Sequence, residues 1–242
     1  MSENLHSNPM PQPRKEAAQS GILRIGHRGA AGYAPENTLA GIWKARSLRI
    51  DMVELDLRET GDGHLVLLHD ETVDRTTDKT GRLDQVSLEQ AQRLNAGHWQ
   101  CIPTLEQALD AAGHELGLIL ELKVEGIGMD AREVVVRSGF NGTVLYASFL
   151  FDELMRIRST DPTTKIMPLF GDHLPADPVR DALALNASYV GLSYHTLTPA
   201  LVKTYHDLGL RVFVYTVNDV RDIQHSRDLQ VDGIISDFPD RI

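Results

Sequence analysis

Glu54 and Asp56 stand two positions apart in the run Met52–Leu57, and Glu121 and Lys123 stand two apart at the end of the run that starts at Gly117. Residues i and i+2 of an extended chain point to the same face, so each pair shares a face if these runs are strands. Three carboxylates brought together repel one another unless a cation sits between them. An all-oxygen donor set, without thiolate or paired histidine, suits one hard divalent ion, Mg²⁺ or Ca²⁺. The plainer alternative is an amphipathic strand that turns Glu54 and Asp56 to solvent. Glu121 weighs against it, because its run is apolar enough to be covered on both faces. His27 and His69 close two other apolar runs and are the candidates for proton transfer, since imidazole exchanges a proton near neutral pH with little tuning. Arg28 and Lys123 are the cations a phosphate would need, or else ion-pair partners of the nearby carboxylates. Among the ten histidines, His98, His114, His173, His195, His206 and His225 fall in helices or loops without carboxylate company and are read as structural.

The elements that must position these groups are nine short apolar runs. They cover residues 22–27, 52–57, 65–69, 117–122, 143–147, 165–169, 189–193, 211–217 and 233–236, each bounded by Gly, Pro, Asp or Asn. Between them lie helical patterns near 38–48, 130–138, 152–159, 178–186, 199–208 and 219–228. Thr104–Gln107 and Ser87–Gln90 have the form of capping boxes. Alternating strands and helices imply parallel strands joined by crossovers. Only Thr60-Gly61-Asp62-Gly63 separates the second run from the third, too short for a parallel crossover. The third run is therefore the return arm of a hairpin. Eight parallel strands remain, which predicts an α/β fold, a (β/α)8 TIM barrel with a β-hairpin extension after strand 2. An open doubly wound sheet is the rival, but no glycine fingerprint follows the first strand. In a barrel, function gathers at the carboxyl ends of the strands. Read in order, those ends carry His27-Arg28, Glu54 and Asp56, His69-Asp70, Glu121 to Lys123, and Ser236-Asp237.

The rest of the composition excludes more than it assigns. The chain has 242 residues, 42% hydrophobic and 24% charged, so collagen-like and broadly disordered readings drop out. A single cysteine, Cys101, forbids an internal disulfide and a thiolate zinc cage. The net charge is −10 and no basic cluster exceeds Arg14-Lys15, so no nucleic-acid partner is expected. Apolar runs are too short to span a bilayer, so no stable membrane insertion is expected. Residues 1–20, with Pro9, Pro11 and Pro13, read as a flexible tail without a secretory signal; the domain is residues 21–242 and the expected compartment the cytoplasm. No pattern sets an oligomeric state.

The motifs, taken in order, resemble a known family. Ile25-Gly-His-Arg-Gly29 and Ala34-Pro-Glu-Asn-Thr38 are similar to the opening of the glycerophosphodiester phosphodiesterases. The resemblance continues through Val53–Asp56, Leu67–Asp70, Val73–Thr77, Ile102–Glu106, Leu120–Lys123, Ala147–Phe149, Tyr215–Asn218 and Gly233–Asp237. It spans about residues 22–239, and the ordered set is far more specific than any one piece. The resemblance implies a (β/α)8 barrel that hydrolyses small-molecule glycerophosphodiesters to an alcohol and sn-glycerol 3-phosphate with a divalent metal. It implies Glu54, Asp56 and Glu121 as metal ligands, His27 and His69 as general base and acid, and Arg28 and Lys123 on the phosphate. Glu36 and Asn37 match the family's Pro-Glu-Asn segment and are expected to support the mouth. Two departures stand out: Tyr215 replaces the family's usual Trp, and the segment from Ala96 to Pro103 is shortened, a reduced insertion expected to open the mouth. Competing readings are the same chemistry on lysophospholipids or other bulkier diesters, a non-catalytic phosphate- or sugar-binding barrel, and an isomerase or aldolase built on Lys123.

Overall fold

The computed structural model describes residues 21–242; the tail expected over residues 1–20 lies outside them. The nine runs are strands: β1 (Leu23–Gly26), β2 (Met52–Glu59), β3 (Leu65–Leu67), β4 (Gly117–Leu122), β5 (Val144–Ser148), β6 (Ile166–Phe170), β7 (Tyr189–Ser193), β8 (Arg211–Tyr215) and β9 (Gly233–Ser236). All but β3 pair in parallel, and β1 is bonded to both β2 and β9, which closes an eight-stranded barrel. β3 pairs antiparallel with β2, Leu57 facing Leu67 and Glu59 facing Leu65, as the short link over residues 60–64 demands. The open-sheet rival is excluded by this closure.

Helices α1 (Leu39–Ser47), α2 (Leu88–Ala91), α3 (Leu105–Ala112), α4 (Gly128–Ser138), α5 (Phe151–Thr160), α6 (Pro178–Ala184), α7 (Pro199–Asp207) and α8 (Val220–Asp228) follow the periodic segments. Both capping boxes form: the Ser87 and Thr104 hydroxyls accept N–H groups of the first turn, and Gln90 and Gln107 return the bond. Seven of these helices carry the crossovers. The short α2 belongs instead to the segment between β3 and α3. That segment, which includes the stretch from Ala96 to Pro103, closes on an apolar cluster of its own with Leu68, Val73, Leu83, Ala91, Ala96 and Ile102.

Strand periodicity divides the buried residues between two layers. Val53, Leu55 and Leu57 of β2 and Leu118, Leu120 and Leu122 of β4 pack outward under the helices. Met52, Ile119, Leu145, Met167, Leu169, Phe213 and Ile235 fill the barrel interior with Ile25 and Ala147. The same alternation sends Glu54, Asp56 and Glu121 inward, above that apolar plug. Two strand ends differ from expectation. β1 stops at Gly26 and β3 at Leu67, so His27 and His69 stand in the bends just beyond their strands.

Candidate active site

The turn after β1 is built by glycine. A Cβ at Gly26 would lie 1.9 Å from the Gly29 carbonyl oxygen, and Gly29 itself has φ of 94°. The intervening Arg28 is left-handed at φ of 50°, and Asn37 at 54°, a conformation that costs most side chains on the order of a kcal/mol but suits Asn better. The two are joined: the Asn37 N–H donates to the Arg28 carbonyl at 3.0 Å. This strained corner aims His27 and Arg28 across the barrel mouth.

Four carboxylates are buried among the described residues, and three of them meet here. Glu153, the fourth, accepts the N–H groups of Gly126 and Gly128 and so serves the start of α4. Glu54, Asp56 and Glu121 offer oxygens that all lie within 4.8 Å of one another; Asp56 and Glu121 are register partners on β2 and β4. Asn37 holds Asp56 from both sides, donating Nδ2 to Oδ2 at 2.7 Å and accepting the Asp56 N–H at 3.1 Å. Glu54 Oε2 accepts the Arg28 N–H at 3.0 Å, while Glu54 Oε1 is buried with no hydrogen-bond partner. Burial, then the charges of Asp56 and Glu121, push the Glu54 carboxyl well above the usual carboxylate range. Burial and Asp56 raise Glu121 too, with Lys123 opposing. An orphaned oxygen in a converging all-oxygen set fits a hard divalent cation, which would reverse both shifts.

Each histidine is held through Nδ1 by an aspartate. His27 Nδ1 lies 2.7 Å from Asp237 Oδ1 and His69 Nδ1 2.6 Å from Asp70 Oδ1. A carboxylate accepts only, so each Nδ1 carries the proton and each Nε2 is left to exchange one. His27 Nε2 is 3.9 Å from Glu54 Oε2. Burial lowers the His69 pKa, with Asp70 opposing.

The two candidate phosphate cations are paired with carboxylates. Lys123 Nζ lies 2.7 Å from Glu121 and 3.5 Å from Asp56. Arg28 donates Nη1 to Glu36 at 2.8 Å; its Nε is 3.4 Å from Asp56 but buried without a hydrogen bond. Glu36 also receives two bonds from Arg75, each 2.8 Å. Burial would raise the Glu36 carboxyl, but the Arg75 hydrogen bonds and the Arg28 charge outweigh it and hold it down to about 2. A carboxyl depressed in the folded state stabilises the fold above its ordinary value of 4.5 and loses that contribution as pH falls toward about 2. Glu36→Gln is therefore expected to lower thermal stability above about pH 5, with the gap to wild type closing on acidification; thermal unfolding across that range measures it.

A sequence profile of the family described as "Glycerophosphoryl diester phosphodiesterase family" matches residues 27–241, which contains every residue named above as part of the site. The chain belongs to that family. Its members are phosphoric diester hydrolases. The chain is 33% identical over 233 residues to the glycerophosphodiester phosphodiesterase of Caldanaerobacter subterraneus subsp. tengcongensis, covering 91% of this chain and 96% of that one. It is 29% identical to the glycerophosphodiester phosphodiesterase of Bacillus subtilis over 247 residues, 90% and 84% of the two chains. A solved Oleispira antarctica phosphodiesterase, in complex with the product sn-glycerol-3-phosphate, superposes with a TM-score of 0.85 at 29% identity, over 90% of this chain and 94% of that one.

In this member of the glycerophosphoryl diester phosphodiesterase family, a small cleft of about 30 Å³ lies against His27, Glu54 and Glu121. Its floor is Ile119, Ala147, Met167, Leu169 and Ile235, and Tyr215 forms one wall. The Tyr215 hydroxyl donates to the Phe170 carbonyl at 2.8 Å, and its ring meets Phe149 edge-on at 6.3 Å. Sequence reasoning places Asp70 and Asp237 at strand ends but gives them no role. It assigns nothing to Asn218, whose Nδ2 donates to Asp237 at 2.6 Å, or to Arg75. Only the motifs Leu67–Asp70, Val73–Thr77 and Tyr215–Asn218 signal them. No helix among the described residues is long and apolar enough to cross a membrane.

Proposed function

We propose that this chain hydrolyses glycerophosphodiesters to an alcohol and sn-glycerol 3-phosphate, with His27 and His69 as the proton-transfer pair and a divalent cation held by Glu54, Asp56 and Glu121. The observation that carries the reading is one mouth holding both an orphaned buried acceptor, Glu54 Oε1, and an orphaned buried donor, Arg28 Nε. The first has carboxylates for neighbours, and the second has the Asp56 carboxylate 3.4 Å away without a hydrogen bond to it. A phosphodiester with a metal ion satisfies both. The product-bound Oleispira antarctica neighbour supports the substrate class.

Bound there, a divalent cation would neutralise charge that builds on the phosphoryl oxygens. Arg28 and Lys123 add donors to the same oxygens, each relinquishing part of its present carboxylate contact. His27, neutral and protonated at Nδ1, takes through Nε2 the proton of the attacking hydroxyl, supplied by the substrate's own glycerol. The new P–O bond forms as the bond to the alcohol breaks, and His69 protonates the leaving alkoxide from Nε2. The product of that step is a cyclic glycerophosphate. Water then opens it with the roles exchanged: His69 accepts the proton of water and His27 returns one to the ring oxygen. Asp237 and Asp70 keep the tautomers fixed and stabilise the imidazolium each histidine becomes.

The apolar floor and Tyr215 face the organic part of the substrate. Tyr215→Ala is expected to raise KM severalfold and change kcat much less, the pattern of lost uniform binding; steady-state kinetics on glycerophosphocholine would read it. The test of the function itself is product identification. Wild-type protein with Mg²⁺ or with Ca²⁺ should release sn-glycerol 3-phosphate and free alcohol from glycerophosphocholine and glycerophosphoethanolamine. Release of glycerol and a phosphorylated alcohol would place cleavage on the wrong bond, and no release from either would overturn the reading.

A further inference from the structure

Arg75 lies between β3 and α2, in the Val73–Thr77 motif, and the chemistry above gives it no work. Its contacts nonetheless reach two carboxylates that themselves hold groups of the site. Its Nε and Nη2 donate to Asp70 at 2.7 and 3.2 Å, and its Nη1 and Nη2 donate to Glu36 at 2.8 Å each. Both are two-point contacts, which only a planar guanidinium makes. Asp70 is the aspartate that holds His69, and Glu36 is the carboxylate that holds Arg28. A continuous chain therefore runs from His69 through Asp70, Arg75 and Glu36 to Arg28. Each end is a group the proposed reaction uses, and the centre is a single guanidinium.

We infer that Arg75 is the positioning residue that sets His69 and Arg28 in register, so that the acid and the phosphate clamp are fixed by one side chain from the segment between β3 and α2. The inference rests on the roles proposed above for His69 and Arg28. The carboxylates on either side need such a clamp. Without Arg75, Asp70 is free to turn from His69 Nδ1, and Glu36 is held by Arg28 alone. Misplacement of an acting group by about an ångström can cost on the order of 10²-fold. Arg75 itself is about half exposed, so its replacement should leave the fold standing.

The test uses the full chain with two readouts. The first is the downfield imidazole proton of the His69 Nδ1–H···Asp70 bond, seen by NMR and assigned by its absence in His69→Asn. It should shift or vanish in Arg75→Lys, whose single ammonium cannot bond two carboxylates at two points each, and in Arg75→Ala. Millimolar guanidinium should restore it in Arg75→Ala, where methylammonium should not. The second is turnover of glycerophosphocholine, where Arg75→Lys should lose at least tenfold in kcat and raise KM through Arg28, with the same selective rescue in Arg75→Ala. An unaltered His69 resonance in both variants overturns the inference. So does a loss of kcat that guanidinium does not restore. Wild-type protein without turnover would count against the proposed function instead, and the resonance would still decide the role of Arg75.

Discussion

His27→Ala and His69→Ala are each expected to lower kcat by roughly 10²–10⁴-fold with little change in melting temperature. The size follows from what each side chain alone provides: an Nε2 free to exchange a proton, on a ring whose other nitrogen is fixed by a carboxylate. No imidazole besides that of His27 is found among the residues lining the pocket beside Glu54 and Glu121. The fold should tolerate both changes. Both rings are partly exposed, and Asp237 keeps its Asn218 hydrogen bond when His27 is removed. The aspartates predict a graded series as well. Asp237→Asn and Asp70→Asn should each fall between wild type and the matching histidine variant, since they spoil the tautomer and leave the imidazole in place. Steady-state kinetics beside circular dichroism measure both. Turnover near wild type in a correctly folded His27→Ala or His69→Ala would remove that residue from the mechanism.

Glu54→Gln should separate stability from function. In metal-free protein the Glu54 carboxyl is raised well above its ordinary value by burial and by Asp56 and Glu121. A carboxyl raised on folding binds a proton more tightly in the folded state. Stability is therefore lost as pH climbs from about 4.5, the ordinary value, toward the raised one. Glutamine removes that titration and still offers an oxygen to the Arg28 N–H. The variant should melt higher than wild type in chelator at neutral pH, with the gap widening as pH rises from the acid side. About 1 kcal/mol corresponds to roughly 2–4 °C in a chain of this size. With Mg²⁺ or Ca²⁺ the order should invert, because wild type gains stability by binding the ion and the variant has lost a charged ligand. Activity should fall with the ion's affinity. Calorimetry in chelator and in saturating metal gives all four melting temperatures. A Glu54→Gln protein less stable than wild type in chelator would contradict the electrostatic account of the triad.

Much of the barrel and its acidic mouth is legible in the sequence because the strands obey one period. Glu54 and Asp56 share a face for the same reason that Val53, Leu55 and Leu57 share the other, and the link at Thr60–Gly63 is too short for anything but a hairpin. Glu121 joins them because β4 pairs with β2 once β3 is set aside as a hairpin arm. The groups that orient the site are less legible. The His27–Asp237 contact spans 210 residues, and only barrel closure through β1 and β9 brings its ends together. Arg75 sits in a motif shared with the family, but nothing in five consecutive letters says that its guanidinium reaches back to Glu36, 39 positions earlier. Arg28 and Lys123 are expected from sequence either to meet a phosphate or to pair with the nearby carboxylates. The structure shows the pairing; under the proposed function, substrate would redistribute those contacts. Strand ends shift where side chains leave the ladder to do other work, as at His27 and His69.

The central claim is that the three carboxylates hold a divalent cation the reaction needs. The most direct measurement is turnover of glycerophosphocholine by wild-type protein stripped with chelator, then titrated with Mg²⁺ and with Ca²⁺. The account predicts no turnover in chelator and saturable recovery with at least one of the two ions. It also predicts that Glu121→Gln requires a higher concentration of that ion for half recovery. Full turnover by protein verified to be free of metal would contradict it.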